Sequence, residues 1–83
     1  MIMEQIKMYG TKWCGDCARA KQVFARHNIT YEWVDITGDA AACEYVKKVN
    51  GGFQSVPTIL FPDGTVLVEP SNVALEKKIG EMK

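Results

Sequence analysis

Cys14 and Cys17, in Cys14-Gly15-Asp16-Cys17, are the residues of this chain best suited to do chemistry. A thiol attacks only as its thiolate, and two thiols at this spacing can exchange with a disulfide on another molecule and then close one between themselves. The pair falls after a strand-like stretch and at the opening of a helix-like one. At a helix N-terminus the unpaired N–H groups and the positive dipole end favour an anion, so the Cys14 pKa is expected to fall from about 8.5 into roughly the 3.5–7.5 range. Cys17, one turn later, is placed to attack a mixed disulfide formed at Cys14, releasing reduced product and leaving an internal disulfide. Asp16 puts a carboxylate beside the developing thiolate and is expected to raise the Cys14 pKa relative to a neutral residue. Lys12 is the nearby charge expected to offset it, and the plain alternative for Asp16 is a solvated first-turn helix residue.

A competing use of the pair is half of a zinc site completed by His27 and Cys43. Structural zinc normally takes closely spaced ligand pairs, whereas these two stand alone on separate predicted helices, so redox chemistry is favoured. His27 also lies about 15 Å along the helix from Cys17, too far for a catalytic role. Cys43 reads as a small helix residue, with thiol modification or dimer formation as the alternative. A second site feature is Ser55-Val56-Pro57-Thr58. Proline cannot donate to a ladder, so Pro57 at a strand start marks an edge, a turn or a cis bond. A cis Val56-Pro57 would leave the Val56 backbone free to pair with an extended thiol-containing substrate.

The elements that must position these residues follow from periodicity and punctuation. Met3 to Tyr9 alternates imperfectly and stops at Gly10, a first strand. Cys14, Cys17, Ala20, Phe24 and His27 recur at helical spacing up to about Asn28, and Tyr31 to Ile36 is rich in aromatic and β-branched residues. Asp39 is a candidate cap for a second helix with Ala42, Tyr45, Val46 and Val49 as its stripe, ended by Asn50-Gly51-Gly52. Thr58 to Phe61 and Thr65 to Val68 flank Pro62-Asp63-Gly64, the turn chemistry of an antiparallel hairpin. Pro70 and Ser71 open a last helix, with Val73, Ile79 and Met82 or Leu75 as candidate inward residues. The expected class is α/β, in the order βαβαββα: a mixed four-stranded sheet with three helices, forming a single domain over residues 1–83. Trp33, Phe24 and Tyr45 are expected in the core.

Composition narrows the function classes. Eighty-three residues can build one small core, which excludes large cofactor-binding folds. Ten basic against ten acidic side chains, with no run of like charge, argue against nucleic-acid or anionic-membrane binding. Three cysteines are too few for a disulfide-stapled secreted scaffold. No apolar run reaches membrane-spanning length, and the first residues carry no secretory signal pattern, so a cytoplasmic location is expected.

Taken together, Thr11-Lys12-Trp13-Cys14-Gly15-Asp16-Cys17, the βαβαββα order and Ser55-Val56-Pro57-Thr58 resemble the glutaredoxin branch of the thioredoxin fold over essentially the whole chain. Val49 to Gly52, Val56-Pro57-Thr58, Asp63-Gly64 and Pro70-Ser71 look most like mycoredoxins and related bacterial glutaredoxin-like proteins. The resemblance implies Cys14 as attacking thiol, Cys17 as resolving thiol and a cis Pro57 facing them. It also implies a low-molecular-weight thiol along the Val56 backbone, with its carboxylate near the start of the last helix, at Ser71 and Asn72. Glutathione-using members carry Gly-Gly, a small residue and Asp there, where this chain has Glu69-Pro70-Ser71-Asn72. Gly15-Asp16 replaces the usual proline-aromatic pair between the cysteines. Lys12, Trp13, Asp16 and Gln54 complete the candidate substrate-binding set, with Phe53 beside Gln54.

The resulting expectation is a dithiol oxidoreductase acting on protein disulfides or protein–small-thiol mixed disulfides. It has no tightly bound cofactor, no metal, and mycothiol or glutathione as co-substrate. Its partners would be disulfide-containing client proteins, with a small thiol or thioredoxin reductase as electron source, and a monomer is expected. One variant is an electron donor to ribonucleotide reductase recharged by thioredoxin reductase. A reading from another class is an iron–sulfur cluster carrier using Cys14 of two chains. An interaction-only role would require inert cysteines, against their position at a helix entry.

Overall fold

A computed structural model describes residues 5–82. In chain order the elements are β1 (Ile6–Gly10), α1 (Gly15–Arg26), β2 (Tyr31–Asp35), a 3-10 turn (Ile36–Gly38), α2 (Ala40–Val49), β3 (Thr58–Leu60), β4 (Val66–Val68) and α3 (Asn72–Met82). The expected α/β architecture is thus present, while Met3 and Glu4 of the anticipated first strand lie outside the described residues. The sheet runs β2-β1-β3-β4. β1 pairs parallel with β2, Ile6 opposite Tyr31 and Gly10 opposite Asp35. Two parallel neighbours need a crossover, and α1 supplies it. β1 pairs antiparallel with β3, Tyr9 opposite Thr58, and β3 pairs antiparallel with β4. That last hairpin turns at Pro62-Asp63-Gly64, where Gly64 takes φ 90° and Asp63 accepts from the Thr65 N–H at 2.9 Å.

Alternation along β1 divides the core between the two sheet faces. Ile6 and Met8 pack with Ala20, Val23 and Phe24 of α1, Ile59 and Phe61, and Leu75 and Ile79 of α3. On the other face Tyr9 packs with Ile36 and with Ala42 and Val46 of α2. Each large apolar side chain fully buried this way contributes about 1.5–3 kcal/mol relative to exposure. Asp39 caps α2 by accepting from the Ala42 N–H at 3.0 Å. Its other end closes when the Gly52 N–H donates to the Lys47 carbonyl at 2.7 Å, with Gly51 and Gly52 in the left-handed region.

Several expected core positions are corrected. On α1, Val23 is buried and His27 is not: the helix has ended, and the His27 ring turns to Glu76 of α3 at 3.5 Å. α3 buries Leu75 and Ile79, an i,i+4 pair, so Val73, about 200° around the helix from Leu75, is exposed. Met82 at the helix end and Val49 at the end of α2 are exposed as well. Tyr45 is half-buried and stacks on Tyr9, with ring centroids 4.9 Å apart. Trp33 packs against the larger cluster without being fully buried. Ile36 leaves β2 because Asp35 caps the following turn through the Thr37 N–H at 2.9 Å, yet its side chain stays in the core. Among the described residues no helix is long and apolar enough to cross a membrane.

Candidate active site

β1 ends at Gly10, and the site is built on its missing side chain. A Cβ there would stand 2.5 Å from Cys17 Sγ and 2.7 and 2.9 Å from two ring carbons of Trp33. Only glycine lets the strand approach the helix and the indole so closely. The chain then turns, the Cys14 N–H reaching the Thr11 carbonyl at 3.4 Å, and Cys14 becomes the N-cap of α1 in an extended conformation. Its sulfur accepts from the Cys17 backbone N–H at 3.2 Å. An N–H so aimed binds an anion more strongly than a neutral thiol.

The two sulfurs differ in surroundings. Cys14 is half-buried, whereas Cys17 is 1% exposed, and both are free thiols. Burial, reinforced by a hydrogen bond with Cys14, pushes the Cys17 thiol up to about 12, against a backbone hydrogen bond from Thr11 and the charge of Lys21. A thiolate at Cys17 is therefore costly in the resting reduced protein.

Facing Cys14 is the segment before β3. The Val56-Pro57 bond is cis, Pro57 is buried, and the Cys14 thiol donates to the Val56 carbonyl at 3.7 Å. This segment is clamped at both ends. Asn50 Nδ2 donates to Thr58 Oγ1 at 3.1 Å and to the Val46 carbonyl at 2.8 Å, and Thr58 Oγ1 donates to the Ser55 carbonyl at 2.7 Å. The Glu69 N–H donates to the Pro57 carbonyl at 2.8 Å.

The start of α3 joins the site through a residue that sequence reasoning missed. Arg19 donates to Asn72 Oδ1 at 2.7 Å, to the Pro70 carbonyl at 3.3 Å, and to Asp16 Oδ1 at 3.2 Å. Asp16 itself is paired with Arg19. One helical turn brings Arg19 alongside Asp16, whereas exposed Lys12 acts on Asp35, whose carboxyl sits below its usual range chiefly because Thr37 hydrogen-bonds it. Asn72 is engaged by Arg19, and Ser71 Oγ caps α3 by accepting from the Ala74 N–H at 3.1 Å.

Of the expected site residues, Cys14, Cys17, Val56 and Pro57 are brought together directly. Asp16 and Asn72 are linked through Arg19. Trp13, 76% exposed, projects beside Cys14, and Gln54 and Phe53 are exposed in the segment leading to Pro57. Besides Arg19, Gly10, Lys21 and Asn50 were not read as site residues, and Thr58 was named only within the Pro57 motif. A glycine ending a strand was a usable signal for close approach, and Asp16 with Arg19 at i,i+3 was a usable signal for an ion pair. Among the described residues no three His, Cys, Asp or Glu side chains gather closely enough to hold a metal ion.

The glutaredoxin family profile matches residues 6–67, from β1 into β4. A protein of Mycobacterium tuberculosis that carries the glutaredoxin name is 42% identical over 79 residues, covering 95% of this chain and 94% of that one. Mycoredoxin 1 of Corynebacterium glutamicum is 32% identical over 77 residues, covering 93% and 95%. Among solved structures, a variant of a thioredoxin-like protein superposes with TM-score 0.80 at 27% identity, covering 94% of this chain and 97% of that one. The glutaredoxin from Brucella melitensis shares the fold, with TM-score 0.66 at 20% identity over 95% and 82% of the two chains. A thioredoxin-like sheet carrying Cys-x-x-Cys at a helix entry, matched by that profile and those relatives, makes this chain a member of the glutaredoxin family, whose activity is thiol–disulfide exchange.

Proposed function

We propose that this chain reduces protein disulfides and protein–small-thiol mixed disulfides, with Cys14 as nucleophile and Cys17 as resolving thiol. The contrast between the two sulfurs supports this reading: Cys14 is accessible with an N–H aimed at it, and Cys17 is buried with its thiol at about 12. The Cys14 thiolate attacks one sulfur of the client disulfide. A Cys14–client S–S bond forms, the client's own S–S bond breaks, and the other client sulfur leaves as thiolate. Cys17 then gives its proton to solvent and attacks Cys14 Sγ. The Cys14–Cys17 bond forms, the client leaves fully reduced, and two electrons have passed to it. Two molecules of a small thiol, or thioredoxin reductase, return the electrons.

Mycothiol is the small thiol favoured here, because of the likeness to a protein named mycoredoxin and because the α3 start lacks the Gly-Gly stretch of glutathione-using members. The residues assigned to bind the thiol substrate are Val56 and Pro57 with Lys12, Trp13, Asp16, Gln54, Ser71 and Asn72. The setting that suits this chemistry is the reducing cytoplasm.

Reduction of insulin and of a mixed disulfide between a small thiol and a protein, by wild type, Cys14→Ser and Cys17→Ser, tests the roles. Cys14→Ser is expected to be inactive on both substrates. Cys17→Ser is expected to lose insulin reduction and to keep the mixed-disulfide reaction through Cys14 alone. Activity surviving in Cys14→Ser refutes the assignment, and visible absorption bands in anaerobically purified protein would replace it with cluster carriage. Running mycothiol, glutathione and thioredoxin reductase in parallel identifies the reductant.

A further inference from the structure

Cys17 must ionise to resolve the mixed disulfide, yet it is the most enclosed of the three sulfurs, and burying an anion is costly unless a fixed positive charge stands near it. Lys21 follows Cys17 by one turn of α1, on the same helix face. Its ammonium lies over the Trp33 ring, 3.7 Å from the centroid. The edge of that ring and Cys17 Sγ both approach the position a Gly10 Cβ would take, at 2.7 and 2.5 Å, so both border the same point above Gly10. A cation seated on an aromatic face gives up much of its freedom to swing into solvent.

We propose that Lys21, held on Trp33, is the positioning residue that favours the Cys17 thiolate in the resolving step, an inference that rests on the dithiol reading above. The direction of the Lys21 influence on Cys17 agrees with this, as it opposes the burial that raises the thiol. With Cys14 held in the mixed disulfide and so uncharged, Lys21 is the charged group of α1 that acts on Cys17. From β2, Asp35 feels both Lys21 and Lys12 and so shares in the field of Lys21.

The step is balanced without a further reactant. Cys17 loses its proton to solvent, its sulfur bonds to Cys14 Sγ, and the group on Cys14 departs with the electron pair. Stopped-flow reaction with the neutral disulfide dithiodipyridine separates the two events. One thiopyridone is released in a phase that depends on reagent concentration, as Cys14 attacks. The second is released in a concentration-independent phase, as Cys17 resolves.

Lys21→Gln is expected to slow the second phase about threefold at neutral pH, a tenfold loss of thiolate being partly offset by the greater nucleophilicity of a more basic sulfur. The pH midpoint of that phase is expected to move upward by about one unit, and Lys21→Arg to restore both rate and midpoint. An unslowed second phase with an unmoved midpoint in Lys21→Gln overturns the proposal, as does equal slowing in Lys21→Gln and Lys21→Arg. A wild-type protein with no second phase overturns the dithiol reading instead.

Discussion

Replacing Gly10 by alanine tests whether the active site depends on strand β1 approaching Cys17 and Trp33 at bare-backbone distance. Two effects compete. Gly10 does not lie in the left-handed region, and alanine in a strand gains about 0.5–1 kcal/mol over glycine by restricting the unfolded chain. Against this, the new methyl would sit 2.5 Å from Cys17 Sγ and under 3 Å from two Trp33 carbons, so α1 or the indole must move. Such overpacking costs about 1–3 kcal/mol. Neither neighbour is the free end of a flexible side chain, so the second effect is expected to win by about 1–2 kcal/mol. In a chain this small that lowers Tm by about 5–10 °C. Urea unfolding of the reduced proteins measures the loss, and the rate at which iodoacetamide modifies Cys17 in a Cys14→Ser, Cys43→Ser background reports its displacement. Gly80→Ala is the control: it lies in α3 with nothing within 4 Å of the new Cβ, and is expected to gain up to about 1 kcal/mol. A Gly10→Ala protein at least as stable as wild type, with Cys17 modified at the wild-type rate, would refute the packing argument.

Alkaline unfolding provides a second test, because Cys17 holds its proton to about 12 when folded against 9.0 for an ordinary thiol. Its contribution to stability is fully present below pH 9 and is lost as pH rises through the folded value, since the unfolded chain releases the proton first. Tyr9, Tyr31 and Tyr45, whose hydroxyls desolvation pushes up, add a parallel loss, so the measured quantity is the steeper alkaline decline of reduced wild type relative to Cys17→Ala in urea titrations. Around Arg19, Asp16→Asn is expected to change unfolding free energy by less than about 0.5 kcal/mol because that ion pair faces solvent. Arg19→Gln is expected to cost about 1–2 kcal/mol through its hydrogen bonds to Asn72 and Pro70, and equal effects of the two changes would contradict that ranking. Thr58→Val leaves the Ser55 carbonyl and Asn50 without their buried partner, at an expected cost of about 1–3 kcal/mol. It should also slow insulin reduction by loosening the segment opposite Cys14, and an unchanged rate would show that the clamp does not govern the site.

Features that depend on near neighbours were legible in the amino-acid sequence. Asp39 as a cap, Asn50-Gly51-Gly52 as a stop and Pro62-Asp63-Gly64 as a hairpin turn work through contacts a few residues apart, and each stands where the pattern puts it. The helix position of Cys14 and Cys17 is local in the same sense. Facing was less legible, because periodicity marks a stripe without marking how much of it another element covers. His27, Val49, Val73 and Met82 carry the right period and still remain outside the core. Lys12 was expected to offset Asp16 at Cys14, while the ion pair of Asp16 with the turn-related Arg19 went unnoticed.

By itself, then, the sequence determined that two thiols stand one turn apart at the entry of α1, since that follows from spacing on one helix. The tertiary structure decided the rest. Val56 meets Cys14 across 42 positions and Arg19 meets Asn72 across 53, contacts that exist only once β1 pairs with β3 and α3 packs on α1. The inequality of the two sulfurs arises the same way. A thiol's burial and field are sums over every segment that closes on it, and for Cys17 those segments are Gly10 of β1, Trp33 of β2 and Lys21 of its own helix.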